Sequence, residues 1–185
     1  MRLILRIVLV ACQLTAVTAQ VQHILPWSPG EISPLRVTKS KALPNEQDLK
    51  GTSAIDRNLM TKSGTEAVNG EVWFKVEYGK SHFIYKIVIY HVFFNADFYK
   101  TYEWCVKTMD NYRTCKDKNN NVDVSVYQGE EHQKSCGTLQ MSYGLELSDQ
   151  TYTFFCDVEG DSILLSKKTL RISISEIVVT SSQGE

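Results

Sequence analysis

Val72-Trp73-Phe74-Lys75-Val76-Glu77-Tyr78-Gly79, followed by Ile84-Tyr85-Lys86-Ile87-Val88-Ile89-Tyr90, decides the class of this chain. The first run sets two aromatics side by side and stops at a glycine, and the second restarts as an apolar strand. Upstream of both, Ala54-Ile55-Asp56-Arg57-Asn58 is a polar turn rich in oxygen donors. Working outward, strands are expected at Leu35–Thr38, Val72–Tyr78, Ile84–Phe94, Val122–Tyr127, Tyr152–Val158, Ser162–Ser166 and Leu170–Thr180. All are rich in β-branched and aromatic residues and bounded by Gly, Asn, Asp or Ser. Asn119-Asn120-Asn121 and Glu159-Gly160-Asp161 carry turn chemistry, and one short helix fits near Asp48–Asp56. Short strands at this spacing, with no long 3.6-residue periodicity, predict an all-β antiparallel sandwich rather than an α/β fold.

The first nineteen residues read as a secretory signal peptide. Arg2 and Arg6 form a basic start, Leu3 to Cys12 an apolar run, and Val17-Thr18-Ala19 a small-residue cleavage site before Gln20. The run is too short and too polar at Gln13 and Thr15 for a membrane span, and no other stretch has the apolar length for one. The expectation is a secreted, extracellular protein. Residues 20–33, with Pro26, Pro29 and Gly30, read as an N-terminal arm, and 34–182 as one domain. Without the leader the charged residues are 18 basic and 21 acidic, and they are dispersed. That balance speaks against nucleic acid as a partner.

Cys12 leaves with the leader, and Cys105, Cys115, Cys136 and Cys156 remain. In an oxidising compartment four cysteines point to two disulfides with three possible connectivities. The local pairing Cys105–Cys115 with Cys136–Cys156 is favoured, because each pair brackets one loop or hairpin. No Cys-x-x-Cys pair supports the competing zinc reading.

Ala54-Ile55-Asp56-Arg57-Asn58, Trp73 to Lys80 and the closing Ile172-Ser173-Ile174-Ser175-Glu176-Ile177-Val178-Val179 together resemble the F-type lectin (fucolectin) and discoidin-like family. Its signature has an Ala-x-Asp-Gly-Asn turn, a Trp-Trp-x-Val-Asp-Leu-Gly strand and a closing strand with a glutamate before an aliphatic run. Arg57 stands where the family has glycine. The resemblance spans roughly Pro34 to Ser182. It implies a jelly-roll sandwich of the galactose-binding-domain kind, with a disulfide where Cys136 and Cys156 sit.

The resemblance also implies a structural calcium site. Its ligands would be the Ser53 carbonyl, Asp56, the Asn58 carbonyl, a Ser or Thr near Ser63, and Glu176. Calcium takes six to eight hard oxygens, which a polar turn supplies from carboxylates and carbonyls. The alternative is that Asp56 caps a turn and Glu176 is a surface strand residue. Fucose-binding members hold the sugar with a histidine and two arginines. Here the histidine's place falls on Thr65 and the first arginine's on Val92, so that triad is not retained.

Aromatic and polar residues nevertheless crowd the end of the second strand. His91, Phe93, Phe94, Asp97 and Tyr99 form the candidate ligand-binding rim, since aromatic faces beside polar groups stack on sugars or bury a partner's side chain. The bland alternative is that these aromatics fill the core. There is no nucleophile elbow, zinc-protease motif or phosphate-cradling loop, so an enzyme is not expected. The reading is a secreted binding module whose partner is a carbohydrate or an extracellular matrix protein, with oligomers allowed. The competing role is structural, as a matrix or biomineral-associated component acting through protein–protein contacts.

Overall fold

Alternating apolar residues at Val72, Phe74, Val76 and Tyr78 bury one face of a strand while Lys75 and Glu77 stay at the surface side. The computed structural model describes residues 24–41, 51–59, 61, 63–66, 68–91, 120–140, 151–168 and 171–181. Its elements are β1 (Arg36–Lys39), a 3-10 turn (Thr52–Ala54), β2 (Ser63–Glu66), β3 (Val72–His91), β4 (Val122–Gln128), β5 (Glu131–Leu139), β6 (Thr151–Lys167) and β7 (Arg171–Thr180). All strand pairings are antiparallel.

The sandwich arises because two strands run through both layers. Residues 72–77 of β3 pair with 162–167 of β6 on one side, 74–77 pair with β1 on the other, and β4 and β5 extend this front layer. Beyond a register shift between Glu77 and His82, the rest of β3 pairs with 151–160 of β6 and with β7, which carries β2 at its edge. The two expected strands Val72–Tyr78 and Ile84–Phe94 are therefore one element. The same holds for Tyr152–Val158 and Ser162–Ser166, so Glu159-Gly160-Asp161 is a bend inside β6 and not a turn between strands. Gly79 has φ 76°, open to glycine at little cost. At Gly160 a Cβ would stand 2.7 Å from the Tyr127 carbonyl oxygen, so only glycine lets β4 and the bend approach.

Buried Phe74, Ile84, Ile87, Ile89, Ile163 and Leu165 from both layers share one core. Cys136 on β5 is disulfide-bonded to Cys156 on β6 across 5.0 Å between Cα atoms. β5 and this part of β6 do not pair with each other, so the bridge ties the layers together and does not bracket a hairpin. Cys136 falls in the β4–β5 register shift, between the pairs Val124–Gly137 and Ser125–Ser135. Such a bulge takes a side chain out of strict alternation. Cys105 and Cys115 lie outside the described residues.

Two short elements were not expected from the sequence. Most of β5 is exposed, so burial leaves no alternation to detect. β2 joins β3 through Asn69-Gly70, both at positive φ (55° and 81°), with two hydrogen bonds between Val68 and Glu71 closing the turn. The helix anticipated near Asp48–Asp56 is a single 3-10 turn over Thr52–Ala54 within the described part. Among the described residues no helix is long and apolar enough to cross a membrane.

Candidate oxygen-rich site under the 51–59 turn

The polar turn folds on itself through short-range hydrogen bonds. Gly51 enters at φ 77°, and the amides of Ala54 and Ile55 donate to the carbonyls of Gly51 and Thr52. The Asp56 carboxylate accepts from the Asn58 amide at 2.9 Å, an Asx-type turn. The Thr61 hydroxyl then lies 2.9 and 2.8 Å from the two Asp56 oxygens, 2.8 Å from the Asn58 carbonyl and 3.2 Å from the Ser53 carbonyl. Four oxygens thus converge on a group that has one hydrogen to donate.

Glu176 closes the site from β7. It is 1% exposed, and its Oε2 accepts the Arg57 amide at 2.7 Å. Burial pushes its carboxyl up to about 8, and the nearby Asp56 charge adds to the rise against the Arg57 hydrogen bond. Ser53, Asp56 and Asn58 thus meet at Thr61, and Glu176 is joined to the same turn through the Arg57 amide. Ser63 does not join them; its buried hydroxyl accepts from Lys39 Nζ at 3.2 Å, and Thr61 supplies the hydroxyl instead. Thr61 is the Ser or Thr near Ser63 that reaches Asp56, because strand β2 begins at Ser63 and the loop before it makes the contact.

Arg57, the departure from the family's glycine, is built into the structure. Its φ of 65° is the left-handed conformation that glycine takes readily. Its side chain binds the N-terminal arm: Nε donates to the Leu25 carbonyl at 2.8 Å, another nitrogen to the Pro26 carbonyl, and Nη1 pairs with Glu31 at 2.5 Å. The guanidinium also lies 4.2 Å from the ring centroid of Trp27, which is otherwise 58% exposed. Further along, Ile32 donates to Val179 and Ser181 to Gly30, so the arm covers the edge of β7 beyond β2.

Only hard donors meet here: two carboxylates, two carbonyls and a hydroxyl. Among the described residues no three His, Cys, Asp or Glu side chains cluster. The donor set fits calcium and not a softer metal.

Of the anticipated rim, His91 alone falls among the described residues. His91 ends β3 opposite Ile174, while Phe93, Phe94, Asp97 and Tyr99, like Val92, lie outside the described residues. Thr65, at the place of the family's sugar-binding histidine, is fully buried. Its hydroxyl donates to the Lys41 carbonyl at 2.7 Å and lies 2.8 Å from the Ser40 hydroxyl, fastening β2 to the end of β1.

In fold the chain is similar to a fucose binding module of Streptococcus pneumoniae, with 15% identity and a TM-score of 0.61 over 85% of this chain and 99% of that one. It is similar to a fucolectin from striped bass (Morone saxatilis) serum, with 11% identity and a TM-score of 0.59 over 85% of this chain and 48% of that one. A family 32 module of Clostridium perfringens NanJ, solved with galactose, gives 16% identity and a TM-score of 0.51 over 82% and 98%. No family model and no curated protein sequence matches the chain. At these identities the likeness establishes the fold alone, an antiparallel β-sandwich, and bears out the resemblance at that level.

Proposed function

We propose that the protein is a secreted, non-catalytic recognition module that binds carbohydrate in the manner of a lectin. The observation that carries this reading is the match in fold to a fucose binding module over 85% of the chain and to a module solved with galactose over 82%. The fucose triad is not the means, since Thr65 is committed to holding β2 against β1. Calcium is the structural ion of this reading. The Ser53 and Asn58 carbonyls, Asp56, the Thr61 hydroxyl and Glu176 would hold it, and it would supply the positive charge that keeps two close carboxylates ionised beneath the turn.

The test is a glycan-array screen of the mature chain, once in calcium and once in EDTA. The expected result is a defined glycan bound in calcium and more weakly or not at all in EDTA. Binding to no glycan in either buffer would overturn the carbohydrate reading and direct the search to extracellular matrix proteins as partners.

A further inference from the structure

The front layer carries a cleft that the oxygen cluster does not use. Cross-strand register sets Trp73 beside Ser166, Ser166 beside Asp123, and Asp123 beside Thr138, so one row crosses β3, β6, β4 and β5. Directly paired residues share a face of the sheet. The neighbouring positions Val72, Leu165, Val122 and Leu139 are buried in the core, so this row lies on the outer face. Glu71, Asn120, Asn121 and Lys168 help to wall a cavity of about 730 Å³ over it. That volume is within the ~300–1,000 Å³ of small-molecule sites.

The walls are held before any ligand arrives. The Trp73 amide donates to the Ser40 hydroxyl at 3.3 Å and the Ser40 amide to the Trp73 carbonyl at 3.0 Å, which fixes the backbone under the indole. Thr138 donates to Asp123 Oδ1 at 2.6 Å and orients that carboxylate. The Asn121 amide donates to Leu139, Gln140 donates to the Asn121 side chain at 3.2 Å, and Lys167 donates to the Asn120 carbonyl at 3.0 Å. The Asn69-Gly70 turn sets Glu71 on the facing side. A preset site loses less order on binding.

The chemistry of the cleft selects its ligand. An indole offers an apolar platform, and carboxylates, amides and an ammonium group supply both acceptors and donors around it. Two acids, Glu71 and Asp123, balance two lysines, Lys167 and Lys168, so nothing favours an anion or a cation. A pyranose meets these demands with a C–H face for the ring and hydroxyls for the polar groups. Resting on the carbohydrate-binding reading above, we propose that this cleft binds a neutral pyranose glycan, with Trp73 as its stacking platform and Asp123, Asn121 and Lys168 as its hydroxyl partners. The cleft is apart from Thr65, so this is a different means of holding a sugar from the triad.

The experiment begins with full mature protein on an array of neutral glycans that includes terminal fucose and galactose. The strongest binder is then titrated as a free oligosaccharide, by calorimetry, against wild type, Trp73→Ala, Asp123→Ala and Lys168→Ala. Loss of the platform or the oriented carboxylate is expected to weaken binding at least about tenfold, and Lys168→Ala by a smaller factor. Asp123 and Lys168 are exposed, so an unchanged melting temperature qualifies their variants, and these two decide the matter if Trp73→Ala does not fold. A glycan bound as tightly by both exposed-site variants as by wild type overturns the cleft and leaves the carbohydrate reading standing. A wild type that binds no glycan overturns both.

Discussion

The oxygen cluster under the 51–59 turn and the cleft over the front layer use similar groups to opposite ends. In the cluster Glu176 is 1% exposed, and its carboxyl is driven up to about 8 by burial. In the cleft Asp123 stays exposed and is merely oriented by Thr138. One site takes a carboxyl out of water, where it keeps its proton unless a positive charge is supplied. The other keeps carboxylates in water, where they can exchange hydrogen bonds with a polar ligand. Desolvation, more than residue type, separates the two regions, and on the readings proposed above it suits one to an ion and the other to a sugar.

The largest expected effect comes from breaking the joint between the cluster and the N-terminal arm. Arg57→Ala leaves Glu31, whose side chain is 6% exposed, without its guanidinium. Removal of one member of a buried pair costs about 3–5 kcal/mol, and urea unfolding should register a loss of that order. A loss under about 1 kcal/mol would mean that the arm is held without the cluster. Replacing Cys136 and Cys156 together with alanine should cost roughly 3 kcal/mol in the same assay. It should leave the contrast between the sites intact, since the bridge touches neither.

Calcium separates the two regions directly. Adding it to EDTA-treated protein should raise the melting temperature, by the equivalent of about 2.7 kcal/mol at a hundredfold excess over Kd. Glu176→Gln should abolish the gain and Asp123→Ala should keep it. An equal gain in both variants would show that the ion binds elsewhere.

The pH response follows from the same carboxyl. In chelator, the folded protein holds the Glu176 proton up to about pH 8, whereas the unfolded chain releases it near 4.5. This contribution is complete below about pH 4.5 and is lost as pH rises towards 8, because the folded state binds more protons in that window. Thermal melts in EDTA should therefore show Glu176-dependent stability declining from pH 5 to 8, and Glu176→Gln should flatten that component. A slope unchanged in the variant would refute the assignment. The smallest effect is expected at the cleft rim: Lys168→Ala should alter stability by less than ~0.5 kcal/mol while weakening glycan binding.

Much of the oxygen cluster was legible in the sequence, because Ser53, Asp56 and Asn58 belong to one turn and Glu176 to one recognisable strand. Its hydroxyl was legible only as a Ser or Thr near Ser63, and the structure places Thr61 rather than Ser63 at Asp56. Arg57 read as a foreign charge in a glycine position, and only its contacts with Leu25, Pro26, Glu31 and Trp27 reveal why it is there. The cleft was not legible at all. Trp73, Ser166 and Asp123 are far apart in the chain, and nothing local to any of them signals the others.

By itself the sequence determined the all-β class, the strand-rich segments, the turn chemistry of Asp56–Asn58 and Asn120–Asn121, and the pairing of Cys136 with Cys156 as the favoured partner. These depend on steric preference, hydrogen bonding and cysteine count over short stretches of chain. Only the tertiary structure decided that β3 and β6 each serve both layers, that the disulfide joins those layers, that Glu176 is buried, and that Trp73 and Asp123 share a row. Those outcomes depend on register and bulges, where a shift of one residue turns every side chain of a strand to the opposite face.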